Sequence, residues 1–326
     1  MLNSNRLTVT KNPATSLMQA WRNTNNHLEV ANQQTPTLGV QWNPFVAATP
    51  TATGTSISQG DNGSVPLVGA QISRGHFVEV SPAPQIGPII PLPTNIVDAV
   101  AGPNGWIMAT TATGAAALKA SNPSVTQALS IASPTSIVMG SSPATLQIEA
   151  FATTATQVLH SVLSGATWGA FLPLPQIPAG TVTAIATARN AANFLDVVAL
   201  CSSAVFHSIQ TAPGIFGPWN KVFDVNGGTS ITMTRVLGNP GVELVVFVAD
   251  GSPIIHTAQQ TGVGSPTWGT VAPLPTAPPA IGRFDMVAVL PLSSGTLVDV
   301  VAMNSVTAHT AHSLRGPSGF DNWVPM

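Results

Sequence analysis

The sequence predicts an all-β protein, a seven-bladed β-propeller of four-stranded antiparallel blades, on three observations. Short apolar runs alternate with polar residues and no long 3.6-residue stripe appears. The 326 residues contain 29 Pro and 28 Gly, which disfavour helix almost everywhere. One hairpin pattern, followed by a tryptophan, recurs with a period near 50 residues.

The first observation rests on runs such as VELVVFVA and FLDVVALC, which are strand-length. They are about half the ~18 residues that suggest a membrane-spanning helix, so no such span is expected. The N-terminal MLNSNRLTVTKNPAT lacks the apolar core of a secretory signal. The expectation is cytoplasmic synthesis or a leader already removed, with release required for any extracellular role.

Composition narrows the function classes. Apolar residues make up 44% of the chain and charged residues 7%, against about 25% charged in an average globular protein. A net charge of -2 with ten dispersed Lys and Arg does not give the basic footprint of a nucleic-acid or anionic-membrane partner. Low charge favours self-association into a homo-oligomer. Cys201 is the single cysteine, so no intrachain disulfide or cysteine zinc cluster can form, and it reads as a buried thiol.

The repeat is clearest from residue 145 onward. Its copies are TLQIEAFATTATQVLHSVLSGATWGAFLPLP, LDVVALCSSAVFHSIQ continuing through TAPGIFGPWNKVF, VELVVFVADGSPIIHTAQQTGVGSPTWGTVAPLP, and LVDVVAMNSVTAHTAHS ending in FDNWVPM. Glu149, Asp196, Glu243 and Asp299 mark the first strand of each hairpin at spacings of 47, 47 and 56. His160, His207, His256 and His309 follow at 47, 49 and 53, and Trp168, Trp219, Trp268 and Trp323 at 51, 49 and 55. Alternating segments upstream, TVTAIATARN, TSITMTRVLG and RFDMVAVLPL, bring each unit to four strands. Weaker copies extend toward the N-terminus, giving approximate blades 5–50, 51–95, 96–135, 136–178, 179–226, 227–278 and 279–326 within one domain. Leu7-Thr8-Val9-Thr10 either opens the first blade or completes the last.

These residues resemble the seven-bladed propeller lectins of the Photorhabdus fucose-binding lectin type. The resemblance is carried by Leu195-Asp196-Val197, His207, Gln210 and Trp219, and by Glu243, His256, Gln259 and Trp268; it is good over 145–326 and weak over 52–140. Tectonin-like and fungal fucose-lectin propellers share the architecture. The resemblance implies a multivalent lectin for neutral sugars such as fucose or O-methylated sugars, bound between blades, with cell-surface glycans or glycoproteins as partners and no cofactor. Family blades commonly carry a second Trp close to the first. Here WGAF, WNKV, WGTV and WVPM lack it and the chain has no Tyr, which implies fewer competent sites than blades.

The chemistry suits that reading, because a pyranose offers an apolar face to an aromatic ring and hydroxyls to short polar groups. Trp42, Trp168, Trp219, Trp268 and Trp323 are the candidate platforms, and alternatively wedges between blades. His160, His207, His256 and His309 are candidate hydrogen-bonders to a ligand, or satisfy buried backbone. One His per blade cannot share a zinc, and a spacing of three puts His309 and His312 on opposite faces of a strand. The acids also recur once per blade rather than as a hydrolase pair. No enzyme is expected; the alternative to a lectin is a protein-interaction scaffold.

Overall fold

The computed structural model describes residues 7–11, 15, 17–24, 28–34, 41–49, 56–62, 65–73, 76–80, 86–92, 96–111, 113–142, 147–236, 244–291, 298–316 and 319–326. At 48–49, most of 56–89, 97 and 316 only the backbone is described.

The strands group in chain order into antiparallel sheets, lettered A to G. Blade A runs from Leu7–Lys11 to Val46–Thr49, B from Ser56–Asn62 to Ile86–Pro91, and C from Ile96–Ala101 to Asn122–Ser130. Blade D runs from Ser136–Ser142 to Leu172–Pro173, E from Val182–Arg189 to Asn220–Asp224, F from Ser230–Arg235 to Ala272–Pro273, and G from Met286–Pro291 to Val324–Pro325. The architecture is a β-propeller with four-stranded antiparallel blades. Six blades, A and C to G, are described with side chains, and sheet B by its backbone pairing.

The first strands of successive blades pack against one another, and Leu7–Lys11 of A packs against Met286–Pro291 of G. Leu7–Lys11 pairs with Met18–Asn23, so it opens blade A rather than completing G. Each blade is therefore made of consecutive strands, and the ends meet by packing. Leu7, Val9 and Ala20 cluster there with Ala288, Val301 and Met303.

Second strands are buried along their whole length: Leu195–Cys201, Leu244–Ala249 and Val298–Met303 contain no exposed residue. Their sequences run apolar without alternation because both faces are covered by neighbouring blades. Val197, Ala199 and Cys201 join the core toward D, while Val198 and Leu200 join the core toward F. Full burial of a Val or Leu side chain is worth about 1.5–3 kcal/mol, so these strands hold the ring together. Burial also pushes the Cys201 thiol up to about 11, so it is protonated and unreactive at neutral pH. Close approach fixes Gly228 as well, since a Cβ there would stand 2.6 Å from Leu200 Cδ1 on the F side of blade E.

First-strand residues including Thr8, Ser136, Ala186, Thr232 and Ala288 line a cavity of about 230 Å³ on the ring axis. The third and fourth strands carry the side chains that face each other between blades at the rim.

Candidate functional site: the clefts between blades

Among the described residues, three blades bury an acid–histidine pair. Glu149 Oε2 lies 2.6 Å from His160 Nε2 in D, Asp196 Oδ2 2.9 Å from His207 Nε2 in E, and Asp299 Oδ1 3.2 Å from His312 Nδ1 in G. The histidine always stands opposite the residue two beyond the acid: Phe151, Val198 and Val301. All six side chains are buried, Glu149, Asp196, Asp299 and His207 completely. The serine after each histidine donates to a carbonyl of the outer hairpin, Ser161 to Gly169, Ser208 to Gly217 and Ser313 to Asp321, at 2.7, 2.7 and 2.6 Å. Two residues further, Gln33, Gln210 and Gln260 in A, E and F accept from the amides of Met18, Leu195 and Leu244 at 2.9, 2.8 and 3.2 Å.

This register corrects the repeat alignment read from spacing. His160 and His207 occupy the repeated position. In G the position belongs to His312, while His309 is exposed and donates from Nδ1 to Ala280 O at 2.8 Å. In F it belongs to Thr257, opposite Phe247. His256 pairs opposite Val248 on the other face, 3.3 Å from Asp250 Oδ2. The matching acid position in F is Val245, the residue after Leu244, and the matching amide is Gln260 rather than Gln259; Glu243 lies outside the described residues. The cause is the turn between second and third strands, one residue longer in F and two longer in G than in E. A slip of one residue sends every side chain to the opposite face.

The tryptophans fall at two positions, not one. The stretches WNPF, WGAF, FGPW, WGTV and FDNW align because the residue after the first aromatic hydrogen-bonds back to the third strand: Asn43, Gly169, Gly217, Gly269 and Asp321 donate to Asn32, Val162, Ile209, Gln259 and Leu314. Trp42, Trp168 and Trp268 share the first position with Phe216 and Phe320. Trp219 and Trp323 share the second with Phe45, Phe171 and Val271. The second aromatic expected from the resemblance is thus present in four of these five stretches as Trp or Phe.

First-position rings cover the preceding blade's pair. Phe216 meets His160 edge-on at 5.0 Å, Trp268 meets His207 at 5.1 Å and Trp42 meets His312 at 6.1 Å. Trp168, 2% exposed, packs on Trp106, and its backbone is clasped by Gln127 of blade C. Second-position Trp219 and Trp323 donate from Nε1 to Pro175 and Pro275 carbonyls at the exit of the preceding blade, at 2.7 and 2.6 Å. Trp168, Trp219 and Trp323 are buried wedges, and Trp42 and Trp268 are half-buried.

The clefts differ in what they enclose. Between D and E, Gln210 Nε2 donates to Glu149 Oε2 at 2.9 Å, which closes the space with the chain's own carboxylate. Asp196 similarly accepts from Asn190 Nδ2 at 2.7 Å and the Gln210 amide at 3.1 Å. Between G and A, burial pushes Asp299 above the usual carboxylate range, with His312 and Trp42 partly offsetting it.

Between F and G both members of the pair are replaced, by Val245 and Thr257, and Arg315 stands where blades A, E and F carry Gln. A cleft of about 710 Å³ opens there, lined by Thr257, Gln259, Pro273, Pro275, Arg315 and Phe320 among others. Phe320 leans edge-on against Phe247 at 5.9 Å, and the Arg315 guanidinium carbon lies 6.0 Å from the Phe320 ring centre. Arg315 Nη1 and Thr257 Oγ1 are buried without a hydrogen-bond partner. Burial moves Arg315 below its ordinary pKa. Sequence reasoning did not single out Arg315, Thr257 or Phe320; the aligned pairs His-Ser, Thr-Ala and the aromatic stretches above were the available signal.

No protein-family model matches the chain, and no curated protein matches it in sequence. Solved structures match its fold. KlHsv2 with loop 6CD replaced by a Gly-Ser linker superposes with a TM-score of 0.60 at 11% identity over 99% of this chain and 98% of that one. The fucose-specific lectin from Aleuria aurantia gives 0.53 at 11% over 99% and 96%. A triple arginine mutant of AofleA from Arthrobotrys oligospora gives 0.54 at 8% over 99% and 87%. At such identities the likeness establishes the propeller architecture and nothing finer.

Proposed function

We propose that the chain is a single-domain, seven-bladed propeller lectin, with sheet B counted as the seventh blade, that binds saccharides without enzymatic turnover. The observation that carries this reading is the F/G cleft. It combines an aromatic edge, a guanidinium, the Gln259 amide, the Thr257 hydroxyl and the Pro273–Pro275 backbone in about 710 Å³, the size range of small-ligand sites. A sugar ring stacks on an aromatic face and spends its hydroxyls on such groups. Likeness in fold to the fucose-specific lectin from Aleuria aurantia supports the choice. The neutral-sugar, multivalent form of the reading extends it to the other clefts, where Trp42 and Trp268 are the half-buried aromatics.

A protein-interaction scaffold is the second reading. It is favoured by apolar side chains at the rim, with Leu172 and Ile215 66% and 59% exposed. Propellers solved as BBS1N in complex with ARL6DN and as YCF48 bound to D1 peptide have the same fold. A glycan-array screen separates the two readings. Competable binding to defined glycans supports the lectin, and a blank array on folded protein refutes it.

A further inference from the structure

Every other cleft from D round to A encloses a carboxylate: Glu149 between D and E, Asp196 between E and F, Asp299 between G and A. The F/G cleft reverses this charge. Its acid position is Val245, its histidine position is Thr257, and the neighbouring blade presents a guanidinium in place of an amide.

At the D/E cleft the amide at this position donates to the internal carboxylate at 2.9 Å. At F/G the corresponding donor, Arg315 Nη1, is buried and has no partner, and neither does Thr257 Oγ1, on a residue only 3% exposed. A buried unpartnered donor is destabilising, and more so when charged. A guanidinium fork matches a carboxylate better than any neutral acceptor. The chain supplies no acid there among the described residues.

We propose that the F/G cleft binds an acidic sugar of the uronic-acid type, whose carboxylate pairs with Arg315 while its ring lies against Phe320 and its hydroxyls meet Thr257, Gln259 and the Pro273–Pro275 backbone. This rests on the lectin reading and deepens it, because it names the sugar class for one cleft. The ligand carboxylate takes the place that Glu149 fills between D and E.

The test is calorimetric titration of the full chain with D-glucuronate, D-glucose, L-fucose and acetate. Glucuronate binds saturably, glucose and acetate at least about tenfold more weakly, and raising salt from about 0.05 to 0.5 M weakens binding. Arg315→Gln lowers glucuronate affinity by about tenfold or more. That variant places at 315 the residue already present at 33, 210 and 260, so it is expected to fold. Val245→Glu supplies an internal carboxylate and abolishes binding by filling the site from within.

If glucose or fucose binds as well as glucuronate and Arg315→Gln has no effect, the acidic-sugar inference is overturned and the lectin reading stands. If acetate binds as tightly as glucuronate, the anion site is real but the sugar assignment fails. If nothing binds, both are overturned for this cleft.

Discussion

The D/E and F/G clefts are built from the same strands in the same register, yet one is filled and the other open. Between D and E, Glu149 Oε2 meets both His160 and Gln210 under the Phe216 ring, so the cleft is closed by the chain's own groups, although Glu149 Oε1 is buried without a partner. Between F and G, a guanidinium nitrogen of Arg315 and the hydroxyl of Thr257 are buried and unmatched, on residues that line an open cleft with Phe320. An acid–histidine pair on one blade gives the polar group of the next blade an internal partner, as Glu149 does for Gln210. Where two substitutions remove that pair, the remaining donor becomes available for recognition.

The largest expected effect comes from removing the shared acceptor of a buried network. Asp196→Ala strips His207, Asn190 and the Gln210 amide of their shared acceptor. It should cost about 3–5 kcal/mol in urea unfolding, as for other buried pairs that lose one member. The corresponding change in the open cleft should have the opposite character. Thr257→Val removes a hydroxyl with no partner, and unfolding should report a neutral change or a gain of up to about 1 kcal/mol.

Between these extremes lies the wedge. Trp323→Phe keeps an aromatic ring near Phe284, though a smaller one, and loses the Nε1 hydrogen bond to Pro275, at a cost of about 1 kcal/mol in the same assay if neighbours fill the space. A loss above about 3 kcal/mol would mean that the indole fills space phenylalanine cannot.

The smallest effect is in pH dependence at the G/A cleft. Because folding raises the Asp299 pKa, the native state binds its proton more readily than the unfolded chain does. The associated stability is complete below the ordinary carboxylate range and is lost as pH rises through the raised native value. Asp299→Asn should flatten that part of the stability-versus-pH curve, and an unchanged slope would assign it to another group.

Much of this was legible in the sequence. The propeller class followed from four-strand periodicity, and Glu149 with His160 and Asp196 with His207 were marked by one spacing because both hairpins have turns of equal length. The lengthened turns of F and G defeated the same rule, sending it to His256 and His309 instead of Thr257 and His312. Tryptophan as a single marker mixed two positions, since Phe216 and Phe320 stand where other blades carry Trp. Arg315 was invisible because its meaning lies in the absence of an acid on the neighbouring blade, a relation only the packed structure brings together.

By register with Gln210 and Glu149, Arg315 faces position 245 across the F/G cleft, and it has no internal partner for Nη1. A double-mutant cycle of Val245→Glu with Arg315→Met, read by urea unfolding, measures that juxtaposition. A favourable coupling of about 2 kcal/mol or more is expected, because the introduced carboxylate acquires the guanidinium present in the wild-type background. Additive effects within about 0.5 kcal/mol would contradict it and place Arg315 away from the position that Glu149 marks in blade D.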